Sequence, residues 1–126
     1  EKKKIDNITF KKKLKRKFGI KSIINYYGLV EQTGSIFFEC EKCNYFITSN
    51  FSDVIIRDQD FSIKQKGKGL IQLVSLIPSS YPGHNILTED IGEIVNKKGC
   101  YCGKKGKGFI VHGRTKQAEP RGCSDT

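Results

Sequence analysis

Some residue types and sequence features are missing from the 126-residue chain, and their absence narrows its class. It contains no methionine and no tryptophan, and only two histidines and three prolines. No apolar run approaches the ~20 residues of a membrane-spanning helix, and no hydrophobic segment follows the basic start as in a signal peptide. With Glu1 first and no methionine, we expect the sequence to be part of a longer chain. We expect a cytoplasmic, reducing setting.

The chain is rich in positive charge. Its length suits one domain with a modest core. The formal net charge is +10, and lysines and arginines cluster in residues 2–17 and again in residues 97–107. Such a balance suits any anionic partner, including nucleic acid, a membrane surface, ATP or a CoA-like phosphate. Charge alone therefore leaves the partner open.

Hydrophobic periodicity predicts one helix followed by strands. Phe10, Leu14 and Phe18 recur every four residues, with Asp6 or Asn7 as a cap and Gly19 behind them. The rest is short runs rich in β-branched and aromatic residues, which predict strands at 22–27, 35–39, 45–48, 53–57, 70–76, 86–87, 92–95 and 109–112. We therefore predict an α+β fold, mostly β strands with one N-terminal helix.

A glycine-bearing loop follows the first predicted strand, in the segment YYGLVEQTG at 26–34. An aromatic ring there can stack on a base, Gly28 allows close approach of a ligand, and the Glu31 carboxylate can hold Mg²⁺. Taken by itself, the segment is better explained by a tight turn with a surface glutamate, because short glycine motifs are common.

Two later segments offer polar groups beside apolar runs. TEDIGEI at 88–94 is predicted as two strands around a polar turn, where Asp90 can accept hydrogen bonds from ribose hydroxyls or simply shape the turn. HGR at 112–114 follows an apolar run and places Arg114 where it can reach phosphate or ribose, or remain solvated. A lone His112 is more often structural than catalytic.

The order of these three segments resembles the adenylate-forming superfamily of acyl and aryl acid ligases. The C-terminal CYCGKKGKGF at 100–109 and AEPRGCSDT at 118–126 narrow the similarity to the acyl-protein synthetases of bacterial luminescence and their phenylacetate-CoA-ligase-like relatives. The similarity covers about residues 22–126. It implies the end of the adenylation domain at 1–113, in the large domain of such a ligase, and a hinge-like arm at 114–126.

The resemblance also implies site residues and substrates. Tyr27 would stack on adenine beside Gly28, Glu31 would hold Mg²⁺, Asp90 would bind ribose, and Arg114 would contact ribose or phosphate. Val30 stands where the family usually has threonine or serine, so a hydroxyl contact to the α-phosphate is missing. The phosphate loop of such enzymes is also absent, so we expect the chain to depend on an upstream part of the same enzyme and to be inactive alone.

Cys123 is a further candidate, as an acyl acceptor. A thiolate is a good nucleophile, and the neighbouring Arg121 favours its formation, whereas Asp125 opposes it. The luminescence synthetases pass an acyl group from acyl-AMP to a cysteine near the C-terminus on its way to a reductase. The resemblance therefore implies a carboxylic acid substrate, fatty in that family, and an acyl-accepting reductase as partner; the alternative is a tail thiol without function.

Two close cysteine pairs, Cys40 with Cys43 and Cys100 with Cys102, predict a structural zinc site. Four thiolates complete the tetrahedral coordination of Zn²⁺, and the bound ion would link distant parts of a small sheet. Unrelated reduced thiols are the alternative. The family often has one histidine in this set; here Cys43 takes its place, with His84 as the reserve ligand.

A rival interpretation is a basic, zinc-containing module that binds nucleic acid or another macromolecule without catalysis. The lysines argue against it, because they are not interleaved with aromatic residues along one strand face. We therefore favour an ATP- and Mg²⁺-dependent ligase and do not expect nucleic acid to be a partner.

Overall fold

The computed structural model describes residues 5–116, which form one helix and seven strands. Helix α1 spans Asn7–Phe18 and a 3₁₀ turn spans Val30–Gln32. The strands are β1 (Tyr26–Gly28), β2 (Ile36–Phe38), β3 (Phe46–Ile47), β4 (Ser52–Arg57), β5 (Gly69–Ser75), β6 (Asn85–Asn96) and β7 (Gly108–Arg114). This confirms the prediction of an α+β fold that is mostly β.

Helix α1 begins and ends where its sequence predicts. Asp6 is the N-cap and accepts a 2.9 Å hydrogen bond from the Thr9 N–H, and Gly19 ends the helix in the left-handed conformation at φ 66°. None of the helix residues is buried. Polar contacts instead attach the helix to the domain, through Lys11 and Asn7, which both reach the carboxylate of Glu39.

Two antiparallel sheets make up the rest of the described chain. Strands β1 and β2 form a ribbon, and the larger sheet has the order β3-β7-β6-β5-β4. A single bridge between Glu39 and Phe46 connects the ribbon to the larger sheet. Sequential strands β4 to β7 are neighbours in space, as expected for a meander.

The hydrophobic core lies between the ribbon and one face of the larger sheet. Its fully buried members alternate along their strands with residues that face outward, the period expected for strands with one covered face. They are Phe37, Val54, Ile56, Ile71, Leu73 and Phe109, and Tyr27, Leu29, Phe46, Ile94 and Val111 pack against them.

The prediction of a turn between two strands at 88–91 was wrong, because β6 is one continuous strand of 12 residues. Its polar segment is accommodated as a bulge. Gln72 pairs with Leu87 and Leu70 with Ile91, so residues 88–90 stand opposite Ile71 alone. Thr88 donates a 2.8 Å hydrogen bond to the Ile71 carbonyl, which satisfies its hydroxyl inside the sheet.

Other boundaries differ less from those predicted. The strand expected at 22–27 is confined to Tyr26–Gly28, and β7 extends to Arg114, across the predicted start of the hinge arm. Most of that arm, including Cys123, lies outside the described residues. Within residues 5–116 no helix is long and apolar enough to cross a membrane.

Candidate functional site

The two predicted cysteine pairs come together in one cluster. Cys40 and Cys43 lie in the connection from β2 to β3, and Cys100 and Cys102 lie in the connection from β6 to β7. Their four sulfur atoms all lie within 4.8 Å of one another. His84, the reserve ligand, is not part of the cluster. The grouping brings together residues up to 62 positions apart.

Tight turns aim the sulfurs of each pair at the same point. In the first loop the Asn44 N–H donates to the Cys40 carbonyl at 2.7 Å, and Asn44 has a positive φ of 56°. In the second loop the Cys100 N–H donates to the Lys104 carbonyl at 2.8 Å and the Cys102 N–H lies 3.4 Å from the Cys100 sulfur. Backbone N–H groups directed at sulfur stabilise thiolates, the form that binds metal.

The donor set fits zinc. Tetrahedral zinc with Zn–S bonds of about 2.3 Å requires sulfurs about 3.8 Å apart. Cys40 Sγ lies 3.5 Å from Cys100 Sγ and 3.4 Å from Cys102 Sγ, while Cys43 and Cys100 are close enough to be joined as a disulfide. Burial opposes ionisation of Cys40, but the backbone of Cys43 and the thiol of Cys102 lower its pKa. The same four residues can therefore hold a metal or form a disulfide with two adjacent thiols.

Three of the predicted nucleotide residues also come together, at the opposite end of the β6–β7 pair. The Tyr27 hydroxyl donates to Asp90 Oδ2 at 2.6 Å. Asp90 lies directly opposite Arg114 in the strand register. Arg114 Nη2 lies 3.4 Å from Glu89 Oε2, so its guanidinium is held near the strand end. A carboxylate and a guanidinium at one strand end suit a ligand with both hydroxyl and anionic groups.

Gly28 and Glu31 occupy the turn that follows Tyr27. Gly28 packs closely on β2, where an added Cβ would lie 3.1 Å from the Ser35 carbonyl oxygen. Glu31 is exposed in the 3₁₀ turn. The next residue, Gln32, is fully buried and donates from Nε2 to the Gly83 carbonyl at 2.9 Å, which fastens the turn to the loop before β6. Glu31 is thus held on a fixed turn and faces solvent.

Sequence reasoning missed two features of this region. The aromatic partners of Tyr27, which are Phe37, Phe46 and Phe109, come from three different strands, and only their apolar character was visible. Gln32 carries a buried Oε1 without a hydrogen-bond partner in the described part of the chain. A polar residue beside a predicted turn gives no sequence signal of burial, so Gln32 was not singled out.

The two groups are separated along the β6–β7 pair. The cysteine loop follows Asn96, and Asp90 lies six residues earlier on β6, which corresponds to roughly 20 Å of extended strand. His112, between them, pairs with Glu93 across the strands at 2.8 Å and faces outward. A metal in the cysteine cluster would therefore stabilise the hairpin and would not touch a ligand at Asp90.

Comparison with known proteins identifies a family for the chain. No curated protein sequence matches the chain. The model of the LuxE family, described as acyl-protein synthetase, matches residues 1–126, which is the whole chain. The chain therefore belongs to the LuxE family of acyl-protein synthetases.

Proposed function

We propose that this chain is part of an ATP-dependent acyl-activating enzyme that forms acyl-AMP from a carboxylic acid and transfers the acyl group to a thiol. The observation that carries the proposal is the grouping of Tyr27, Asp90 and Arg114 at one strand end of a LuxE-family chain. These residues are 63 and 24 positions apart, and each was selected for a nucleotide role on sequence alone.

In the first step the substrate carboxylate attacks the α-phosphorus of ATP, and pyrophosphate leaves. The Asp90 carboxylate would accept hydrogen bonds from ribose hydroxyls, and the Arg114 guanidinium would contact ribose or phosphate. Glu31 would hold Mg²⁺, which neutralises phosphate charge when bound. Because Val30 lacks a hydroxyl and no phosphate loop occurs in the sequence, we expect the upstream part of the enzyme to complete the site.

In the second step a thiolate attacks the acyl carbonyl, the bond to the phosphate oxygen breaks, and AMP leaves. Cys123 is the proposed acceptor, because it lies in the RGCSD segment that resembles the acyl-carrying end of the luminescence synthetases. It lies outside the described residues. The thioester would then pass to a reductase, with a fatty acid as the proposed substrate and a cytoplasmic setting that keeps Cys123 reduced.

The proposal is tested by titrating the chain with ATP and Mg²⁺, alone and together with the upstream part that carries the phosphate loop. Nucleotide binding in the reconstituted form, and radiolabelled fatty acid retained on wild type but not on Cys123→Ser, are expected. Label retained equally on Cys123→Ser would move the acceptor to another residue of the protein, and label released as acyl-CoA when CoA is added, with none retained on the protein, would make CoA the acceptor. No nucleotide binding in either form would leave the basic, zinc-containing interaction module as the better explanation.

A further inference from the structure

A short hydrogen bond joins the two residues assigned to adenine and ribose. The Tyr27 Oη to Asp90 Oδ2 distance is 2.6 Å, in the range of a charge-assisted O–H···O⁻ bond. Burial, together with the neighbouring Asp90, raises the pKa of Tyr27 well above its ordinary value of 10.0. The phenol is therefore protonated at neutral pH and donates this hydrogen bond.

The Tyr27 ring is part of the hydrophobic core. Its centroid lies 6.3 Å from that of Phe37, 6.0 Å from that of Phe46 and 5.9 Å from that of Phe109, which meets it edge-on at 75°. Such distances are typical of packed aromatic clusters. The preceding residue, Tyr26, points the other way and is 71% exposed. The core thus fixes the Tyr27 ring and leaves its hydroxyl directed at β6.

Asp90 lies where β6 leaves regular pairing on both sides. It belongs to the bulge opposite Ile71, and a second irregularity in the β6–β7 pairing follows between Ile91 and Gly92. Bulges turn side chains out of the regular alternation and recur beside binding sites. Oδ2 of Asp90 is engaged by Tyr27, whereas Oδ1 accepts no hydrogen bond from any group within residues 5–116. Tyr27 therefore holds one of the two oxygens of the Asp90 carboxylate.

We propose that Tyr27 is a positioning residue whose hydroxyl orients the Asp90 carboxylate toward a ribose, and that its ring is a core element and not the surface on which adenine stacks. This inference rests on the proposed function, since it assigns a role within the same nucleotide site. It replaces the role that the family resemblance implies for Tyr27. The substitution Tyr27→Phe tests the positioning role separately from the packing of the ring, because it keeps the ring and removes only the hydroxyl.

The test compares ATP with 2′,3′-dideoxy-ATP by calorimetric titration of the complete enzyme. Tyr27→Phe is expected to weaken ATP binding about tenfold and to leave dideoxy-ATP binding unchanged. A tenfold change in affinity corresponds to the contribution of one hydrogen bond to a charged group. Asp90→Asn should show the same selective loss. Tyr26→Phe is the matched control, since it removes a neighbouring exposed hydroxyl, and should change neither affinity.

The other outcomes overturn the inference in distinguishable ways. Unchanged ATP binding by Tyr27→Phe would mean that the hydroxyl is dispensable and would overturn the positioning role. Equal losses for both nucleotides would mean that the substitution damages the fold. Wild-type enzyme that binds no ATP would overturn the proposed function and this inference together.

A second measurement needs no nucleotide. In urea unfolding, Tyr27→Phe, Asp90→Asn and the double variant form a cycle that reports the coupling of the two side chains. We expect the double variant's midpoint shift to be clearly smaller than the sum of the single shifts. Additive shifts would show that the hydrogen bond is absent in solution and would overturn the inference even if ATP binds.

Discussion

The ammonium group of Lys11 and the carboxylate of Glu39 form an ion pair that attaches helix α1 to the end of strand β2. The two side chains are only 12% and 4% exposed, and Glu39 also accepts hydrogen bonds from Asn7 Nδ2 and the Asn25 N–H, both at 3.2 Å. Since no residue of α1 is buried, this polar junction takes the place of hydrophobic packing between helix and sheet.

Glu39→Ala should therefore destabilise the domain strongly. Removing one partner of a buried pair leaves the other uncompensated, which typically costs about 3–5 kcal/mol. The matched control is Glu41→Ala, which removes the 3.6 Å pair with Lys15, whose side chains are 40% and 44% exposed. An exposed pair contributes at most about 1 kcal/mol. Urea unfolding measures both; equal effects would contradict the importance of the junction.

Zinc content is the next prediction. We expect one equivalent of zinc per chain by elemental analysis, and a large loss of thermal stability with a chelator, because binding energy at a structural site is folding energy. Serine at Cys40, Cys43, Cys100 or Cys102 should each abolish the zinc. Cys123→Ser, which changes none of the four predicted ligands, is the control and should retain it.

The same four variants separate a zinc site from a disulfide. A Cys43–Cys100 disulfide predicts that Cys40→Ser and Cys102→Ser leave stability nearly unchanged and that a reductant lowers it. Zinc predicts comparable losses for all four variants and little effect of reductant. Thermal unfolding of the four, with and without reductant, decides between them.

Much of this fold could be predicted from local sequence signals. The helix was visible in its four-residue period, its cap and its terminal glycine, all of which act within a few residues of one another. The cysteine pairs were visible because ligand spacing is itself local. In contrast, β6 was predicted as two strands, because the polar residues 88–90 look like a turn and only their bulge opposite Ile71 keeps the strand continuous.

The environment of Tyr27 shows the same limit at the candidate site. Its motif predicted contact with a nucleotide, but its ring packing depends on phenylalanines from β2, β3 and β7. Whether an aromatic side chain points to the core or to a ligand depends on one step in strand register. Tyr26 and Tyr27 are adjacent and face opposite ways, and the sequence does not distinguish them.

A pH dependence is expected at the start of helix α1. Hydrogen bonds from the side chain and backbone of Thr9 lower the pKa of Asp6 below its ordinary value of 3.8. A depressed pKa stabilises the fold above the unfolded-state value, and the contribution is lost as pH falls through the folded-state value. Helix content by circular dichroism should therefore fall below about pH 4 less steeply in Asp6→Asn than in wild type, because asparagine caps without titrating. Identical acid transitions would contradict this role for the cap.

Gly92 links stability to the candidate site, because it stands at the irregularity that follows Asp90. An added Cβ would lie 2.6 Å from both the Ile110 carbonyl oxygen and Ile71 Cδ1, so alanine must displace β7 or the core. We expect Gly92→Ala to lower the free energy of unfolding by about 1–3 kcal/mol, the range typical of overpacked cores. The control is Gly103→Ala in the cysteine loop, where no atom lies within 4 Å of an added Cβ and only the positive φ of 90° is strained.

Because a shift of β7 would move Arg114 relative to Asp90, Gly92→Ala should also weaken ATP binding more than the Gly103→Ala control does. Weakened stability with unchanged ATP affinity would show that the pairing of β6 with β7 does not set the geometry of the nucleotide residues.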